Sequence, residues 1–226
     1  MYSKANLTVT YLHGKVEKID ENNSKVYLPK VNDLVDDKHF IGTGKGSRFE
    51  IEAENSFFRI GSLSFVKFIS FDEIFIHSGS FLFCSNRSQK SLKISSRISN
   101  ATFQGSGTFI VDCFENGGFK FIPLECDGYL KTDLHPDKKL TGGRMIMVVG
   151  SPSYLGSAYD IDIMLLLKSS KLINYFPKPL PTFDKIGLAI YIQQLKLKGK
   201  YDALIGDATS DDNLQIWKFG EKNNNL

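Results

Sequence analysis

The chain is expected to be mainly β: an antiparallel sandwich, jelly roll or β-roll of about a dozen short strands, followed by two C-terminal helices. Three observations carry this. Residues up to about 150 break into short apolar-rich runs separated by turn chemistry. Asn116-Gly117 joins two such runs and is the strongest short-range hairpin signal. After residue 150 the alternation of strands gives way to helical spacing.

Taken in order, the predicted strands are 7–12, 15–19, 25–28, 48–53, 57–60, 66–71, 73–76, 80–84, 92–95, 108–114, 119–124, 128–131 and 145–149. The clearest alternation sets Phe49, Ile51 and Ala53 inward against Arg48, Glu50, Glu52 and Glu54 outward, the pattern of a half-wet antiparallel strand. Turns are expected at 21–24, 42–47, 78–79, 117–118 and 141–143, and the serine-glycine pieces SGSF and GSGT are taken as turns as well. With Asn116-Gly117 as a two-residue turn, Cys113 falls opposite Lys120. In that register Phe109, Val111, Cys113, Ile122, Leu124 and Cys126 share one face. The other face, with Ile110, Phe114, Phe119 and Phe121, becomes a candidate interaction face unless the C-terminal helices cover it.

The segment 160–175 reads as a helix with Asp160 as its cap, and 182–198 as a second one capped by Thr182 beyond the link FPKPLP. Phe183, Ile186, Ile190 and Leu197 form its apolar stripe. Domain organisation follows: a β domain over 1–150, a helical extension over 151–200 packed on it, and a polar, partly disordered tail over 201–226.

Composition excludes more than it assigns. The 226 residues carry a formal charge of +3 and 23% charged residues, with Lys and Arg interleaved with Asp and Glu, so no basic stripe for nucleic acid is present. Phenylalanine occurs 18 times and tryptophan once, which favours a filled β core over a sugar-binding platform. The longest apolar cluster, 161–167, is far short of a membrane span. The opening MYSKANLTVTYLHG lacks the apolar core of a signal peptide, so the expectation is a cytoplasmic chain or one that begins after processing.

No reaction chemistry is assembled. Cys84, Cys113 and Cys126 have no CxxC spacing and are taken as small buried apolar residues. His13, His39, His77 and His135 are scattered singly, so neither a metal nor a cofactor is expected. The glycine-rich 42–47 lacks Walker spacing, and no G-x-S-x-G elbow occurs. A hydrolase therefore ranks last. A glycan- or polymer-binding module is the alternative to a protein scaffold, with Tyr154 and Tyr159 as candidate ligand contacts.

Several motifs, in order, resemble the FecR-domain family of β-rich bacterial envelope modules. NLTVTYLHGKVEK is similar to the family's opening strand pair, FIGTGKGSRFEIE to its glycine- and serine-rich segment before an alternating strand, and FFRIGSLSFVKF to its Arg-hydrophobic-Gly strand. HSGSFLF, FQGSGTF, FKFIPLECDGYLK and LTGGRMIMVV follow, and YDIDIMLLLKSSKLINYFPKPLP resembles the helical extension of a subset of unknown function. Gln104 and Ser106 stand where the family has Arg and Thr, and Pro123 requires an edge or a bulge in its strand. The resemblance implies a non-enzymatic scaffold with a protein partner in the envelope. It also implies a periplasmic or extracellular location if an upstream signal has been removed. Iron-dicitrate signalling is not part of that implication, because the membrane span and anti-sigma helix of the signalling members are not seen in this chain.

Overall fold

The computed structural model describes residues 7–53, 56–197, 201–205 and 215–219. In chain order the elements are β1 (Leu7–His13), β2 (Val16–Asp20), β3 (Val26–Tyr27), β4 (Leu34–Val35), β5 (His39–Thr43), β6 (Arg48–Ala53), β7 (Ser56–Ile60) and β8 (Phe65–Ser70). Then come β9 (Glu73–Ser95), β10 (Asn100–Cys113), β11 (Phe119–Lys131), β12 (Lys138–Lys139), β13 (Arg144–Val149) and β14 (Tyr154–Asp160). The chain continues through α1 (Ile163–Ser169), α2 (Lys171–Asn174), α3 (Phe183–Leu197), β15 (Tyr201–Ile205) and β16 (Gln215–Phe219).

Among the described residues fourteen strands form one antiparallel sheet, so the expected mainly β class holds. Its long limb runs β14-β13-β11-β10-β9-β7-β6-β1-β4, and a second limb, β3-β2-β5-β8, joins at the start of β9. The second limb folds back on the first. Ile41, Val66, Phe68, Ile74 and Ile76 from it share a buried cluster with Val9, Ile51, Phe58, Phe81, Phe109 and Phe121 from the long limb. The rings of Phe58 and Phe68 meet edge to face across this interior at 5.0 Å. The helices cover the opposite face of the long limb through a second cluster that includes Leu82, Ile110, Leu124, Ile163, Ile186 and Ile190. A sheet wet on one side would alternate apolar and polar residues. FIVDC, FKFIPL and RMIMVV do not, because both of their faces are covered.

The turn expected at 78–79 is a bend inside one 23-residue strand. Residues 73–78 pair with β8, while 81–85 pair with β7, so the chain passes from one limb to the other at Gly79. Gly79 has φ +79° and lies against Ser64, whose Cα would stand 2.5 Å from an added Cβ. The Ser64 hydroxyl completes the corner, accepting from Ser80 N at 3.0 Å and donating to Ser80 O at 3.1 Å. Gly79→Ala is expected to destabilise the protein by about 2 kcal/mol, since it combines a positive φ with a backbone clash. A shift of the urea midpoint with unchanged slope would show this. GSGT likewise lies within a strand, β10, at a register shift between Gly105 and Gly107.

The 115–117 loop differs from the expected two-residue turn. Within it Gly117 alone has positive φ, at +92°, whereas a type I′ turn requires it at Asn116 too. Gly117 N donates to Phe114 O at 2.9 Å and Phe114 N to Gly118 O at 2.7 Å, giving a three-residue loop. Cys113 therefore pairs with Phe119, and Lys120 with Asp112.

The predicted helix over 160–175 is corrected at both ends. Asp160 closes β14 and its carboxylate lies 3.4 Å from Arg144 Nε, while Asp162 caps α1 by accepting from Leu165 N at 3.0 Å. Ser170 then separates α1 from α2. In the predicted tail, 201–205 and 215–219 pair as a two-stranded sheet, and the polar end 220–226 lies outside the described residues.

Candidate interaction surface

The helical layer is fastened to the sheet by an arginine. Arg59, on β7, has no exposed surface, and its Nε donates to Glu50 on β6 at 2.9 Å. Its Nη1 donates to the carbonyls of Leu172 and Ile173 at 3.2 and 3.1 Å, and its Nη2 to that of Lys178. The Phe176 ring packs 4.4 Å from the guanidinium carbon. Arg59 thus satisfies the carbonyls that α2 leaves open at its C-terminal end, where cations are favoured. Glu50 also accepts from Thr10 Oγ1 at 2.9 Å; it lies opposite Phe49 and Ile51 as expected, but at Glu50 that face is buried under the helical layer rather than wet. Glu52 is exposed and Phe49, Ile51 and Ala53 are buried as expected, while Glu54 lies outside the described residues.

Gln193 makes a second fastening. Its carboxamide accepts from Ile163 N at 3.3 Å and donates to Ile161 O at 2.5 Å, joining α3 to the start of α1. Ile186, Ile190 and Gln193, at spacings of four and three, set the inward face of α3. Phe183, expected on that stripe, is half exposed, and the Leu197 side chain lies outside the described residues.

The other face of α3 is also apolar. Leu188, Tyr191, Ile192 and Leu195 recur at i, i+3, i+4 and i+7 and are exposed by 59%, 59%, 41% and 57%. Ile192 borders a groove of about 490 Å³ between α3 and the start of β13, lined also by Cys126, Leu140, Arg144 and Asp160. Further exposed apolar residues, Val26, Tyr27, Leu28, Val31 and Leu34, lie in and around the edge strands β3 and β4.

The residues proposed from sequence are not brought together. Ile110 is buried under the helices, while Phe119 and Phe121 are in the opposite, inter-limb core. Phe114 is half-buried beside the loop, with the Lys120 ammonium 5.1 Å from its ring centroid. The four therefore form no common face. Tyr154 and Tyr159 are in β14 rather than after the last strand, each about half exposed. Their β13 partners Val149 and Met145 are four residues apart, which separates the rings by roughly 13 Å along the strand. Tyr154 also packs edge-on against His135 at 4.9 Å.

The sequence marked Thr182 only as a helix cap, yet it belongs to a polar group beneath α3. Thr108 Oγ1 is 2.5 Å from Thr182 Oγ1, 3.2 Å from Cys84 Sγ and 3.5 Å from Glu125 Oε1. Burial raises the Glu125 carboxyl to about 7. The three cysteines are free, and burial pushes the Cys84 and Cys126 thiols upward and Cys113 to about 11. They are protonated at neutral pH and behave as small packing residues. Among the described residues no group of three or more His, Cys, Asp or Glu side chains is placed to hold a metal ion.

No protein-family model matches this chain, and no curated protein matches it. Among solved structures, it is similar to a candidate anti-sigma factor from Parabacteroides distasonis ATCC 8503 solved at 1.65 Å, with a TM-score of 0.45 and 10% identity. That match covers 71% of this chain and 76% of the other. A second structure of a candidate anti-sigma factor from the same organism, at 2.50 Å, gives a TM-score of 0.44 and 12% identity over 71% and 75% of the two chains.

Proposed function

We propose that the chain is a non-enzymatic interaction scaffold of the FecR-like type, acting in the bacterial cell envelope, and that it holds a protein partner on the outward face of α3. The observation that carries this is the apolar stripe Leu188, Tyr191, Ile192 and Leu195. A helix that is apolar on both sides belongs to an interior. The sheet covers one side of α3, and a partner would cover the other. The order of the sequence motifs supports the family, and the Arg-hydrophobic-Gly motif gains a physical role as Arg59 fastens the helical layer. Export past the inner membrane, after loss of an upstream signal, belongs to the same proposal.

A photo-crosslinking residue at Tyr191 in intact cells is expected to trap one protein, and Leu188→Glu with Leu195→Glu to abolish the adduct while leaving the circular dichroism spectrum unchanged. Fractionation should place the adduct in the envelope. Polysaccharide retained through Tyr154 and Tyr159, with no protein adduct at Tyr191, would instead establish the glycan-binding alternative.

A further inference from the structure

The contact between α3 and the sheet contains a carboxyl with few partners. Opposite Thr108 and Phe109 the register shifts, so that Thr108 pairs with Glu125 and Phe109 with Pro123. Proline donates nothing to the ladder, and a bulge is the place a paired strand tolerates it. Here the bulge puts Glu125 beside Thr108, whose hydroxyl reaches Thr182 immediately before the first residue of α3. Thr108 and Thr182 are buried, and Cys84 closes the group from β9.

We propose that Glu125 is a proton-operated latch that sets how tightly the N-terminal end of α3 holds to the sheet. With Glu125 protonated, its hydroxyl donates to Thr108, which is then free to donate toward Thr182 or Cys84. With Glu125 ionised, Thr108 must donate to the carboxylate through a 3.5 Å bond, and the ion stays half-buried with little to solvate it. The charged and titratable groups that act on it are Lys185 on the first turn of α3, which favours the ion, and Asp127 on its own strand, which opposes it. The Cys84 and Cys126 thiols are neutral neighbours.

The sign follows from the raised carboxyl. An exposed Glu ionises near its ordinary 4.5, and the docked one near 7, so docking takes up a proton. The stabilisation is complete below the lower value and is lost as the pH rises through the upper one. Between pH 5.5 and 8 the opening equilibrium of α3 is expected to rise on the order of tenfold.

The experiment is hydrogen exchange of the whole chain from pH 5.5 to 8.5, corrected for intrinsic exchange, with peptides from 183–195 compared against 79–85 in the sheet. Protection of α3 should fall with pH in the native chain and stay level in Glu125→Gln, which keeps an acceptor for Thr108. Lys185→Gln should move the midpoint to higher pH and Asp127→Asn to lower pH, a pair of shifts that a merely structural role would not produce. Protection that is flat in the native chain, or a pH dependence that survives Glu125→Gln, would overturn the latch. The inference deepens the reading of α3 but needs no partner, so a null crosslink and a null exchange profile are separate failures.

Discussion

Replacing Arg59 with Met is expected to destabilise the protein by about 3–5 kcal/mol, because it removes one half of a buried pair and leaves the Glu50 carboxylate uncompensated. The carbonyls of Leu172, Ile173 and Lys178 lose their donor at the same time. For a chain of this length that corresponds to a fall in melting temperature of about 10 °C or more. Arg59→Lys should recover little, since an ammonium cannot present donors in the fork that reaches Glu50 and three carbonyls together. Adding Glu50→Leu to Arg59→Met should restore part of the loss, because an apolar pair is often no less stable than a buried ion pair. Differential scanning calorimetry checks all three, and cleavage by trypsin after the exposed Lys171, in the α2 turn that Arg59 holds, should accelerate in Arg59→Met. If Glu50→Leu worsens the single variant instead, the stabilising element is the bond from Thr10 to Glu50 rather than the ion pair.

Arg59 also marks where sequence reasoning reaches its limit. The alternation in RFEIEA correctly identified a strand and its inward residues, but it sent Glu50 to water along with its neighbours. Periodicity assigns a residue to a face, and it cannot tell whether that face is wet. Here a later helical layer covers it. The runs FIVDC and RMIMVV held the same information in another form, since a sheet with both faces buried loses its alternation. The strand that crosses from one limb to the other was divided at Gly79 because a glycine bend and a turn have the same local composition. Its first half pairs with the adjacent β8, but its continuation past Gly79 is fixed by β7, where Ile60 pairs with Phe81 and Ser56 with Ser85, a separation that no local window contains.

The candidate site was legible in part. The inward stripe of α3 could be predicted from Ile186 and Ile190, and counting apolar residues around the whole helix would have exposed the second stripe at Leu188, Tyr191, Ile192 and Leu195. Pro123 foretold a bulge, and the bulge aims Glu125. What could not be foreseen is that Thr108 and Thr182, 74 residues apart, meet beside it. The hairpin failed for a narrower reason. One extra loop residue moves the pairing by one position, and with a side-chain period of two that exchanges the faces. It hid a cross-strand pair as well: Asp112 and Lys120 are both buried and form an ion pair only in the true register.

That exchange of faces leads to the second large effect. Phe121 and Phe109 pack at 4.3 Å between centroids with their planes tilted by 31°, and the cluster continues through Phe103 and Phe83. Phe121→Ala removes a ring from the centre of the inter-limb core, where the surrounding strands are held by their ladders and cannot collapse inward. A loss of about 3–5 kcal/mol is expected, the sum of the transfer and cavity terms. Phe114→Ala, on the same hairpin but half-buried at its loop, is expected to cost about 1 kcal/mol, mostly from the weakened contact with the Lys120 ammonium. Urea unfolding of the two variants separates the registers directly. With Phe119 and Phe121 on one outward face beside Phe114, as the two-residue turn implied, the substitutions would be similarly mild; with Phe121 in the core, the two costs differ several-fold. The comparison also governs how any binding defect at this hairpin is interpreted, because a Phe121 variant that loses a partner has first lost the packing that holds the two limbs together.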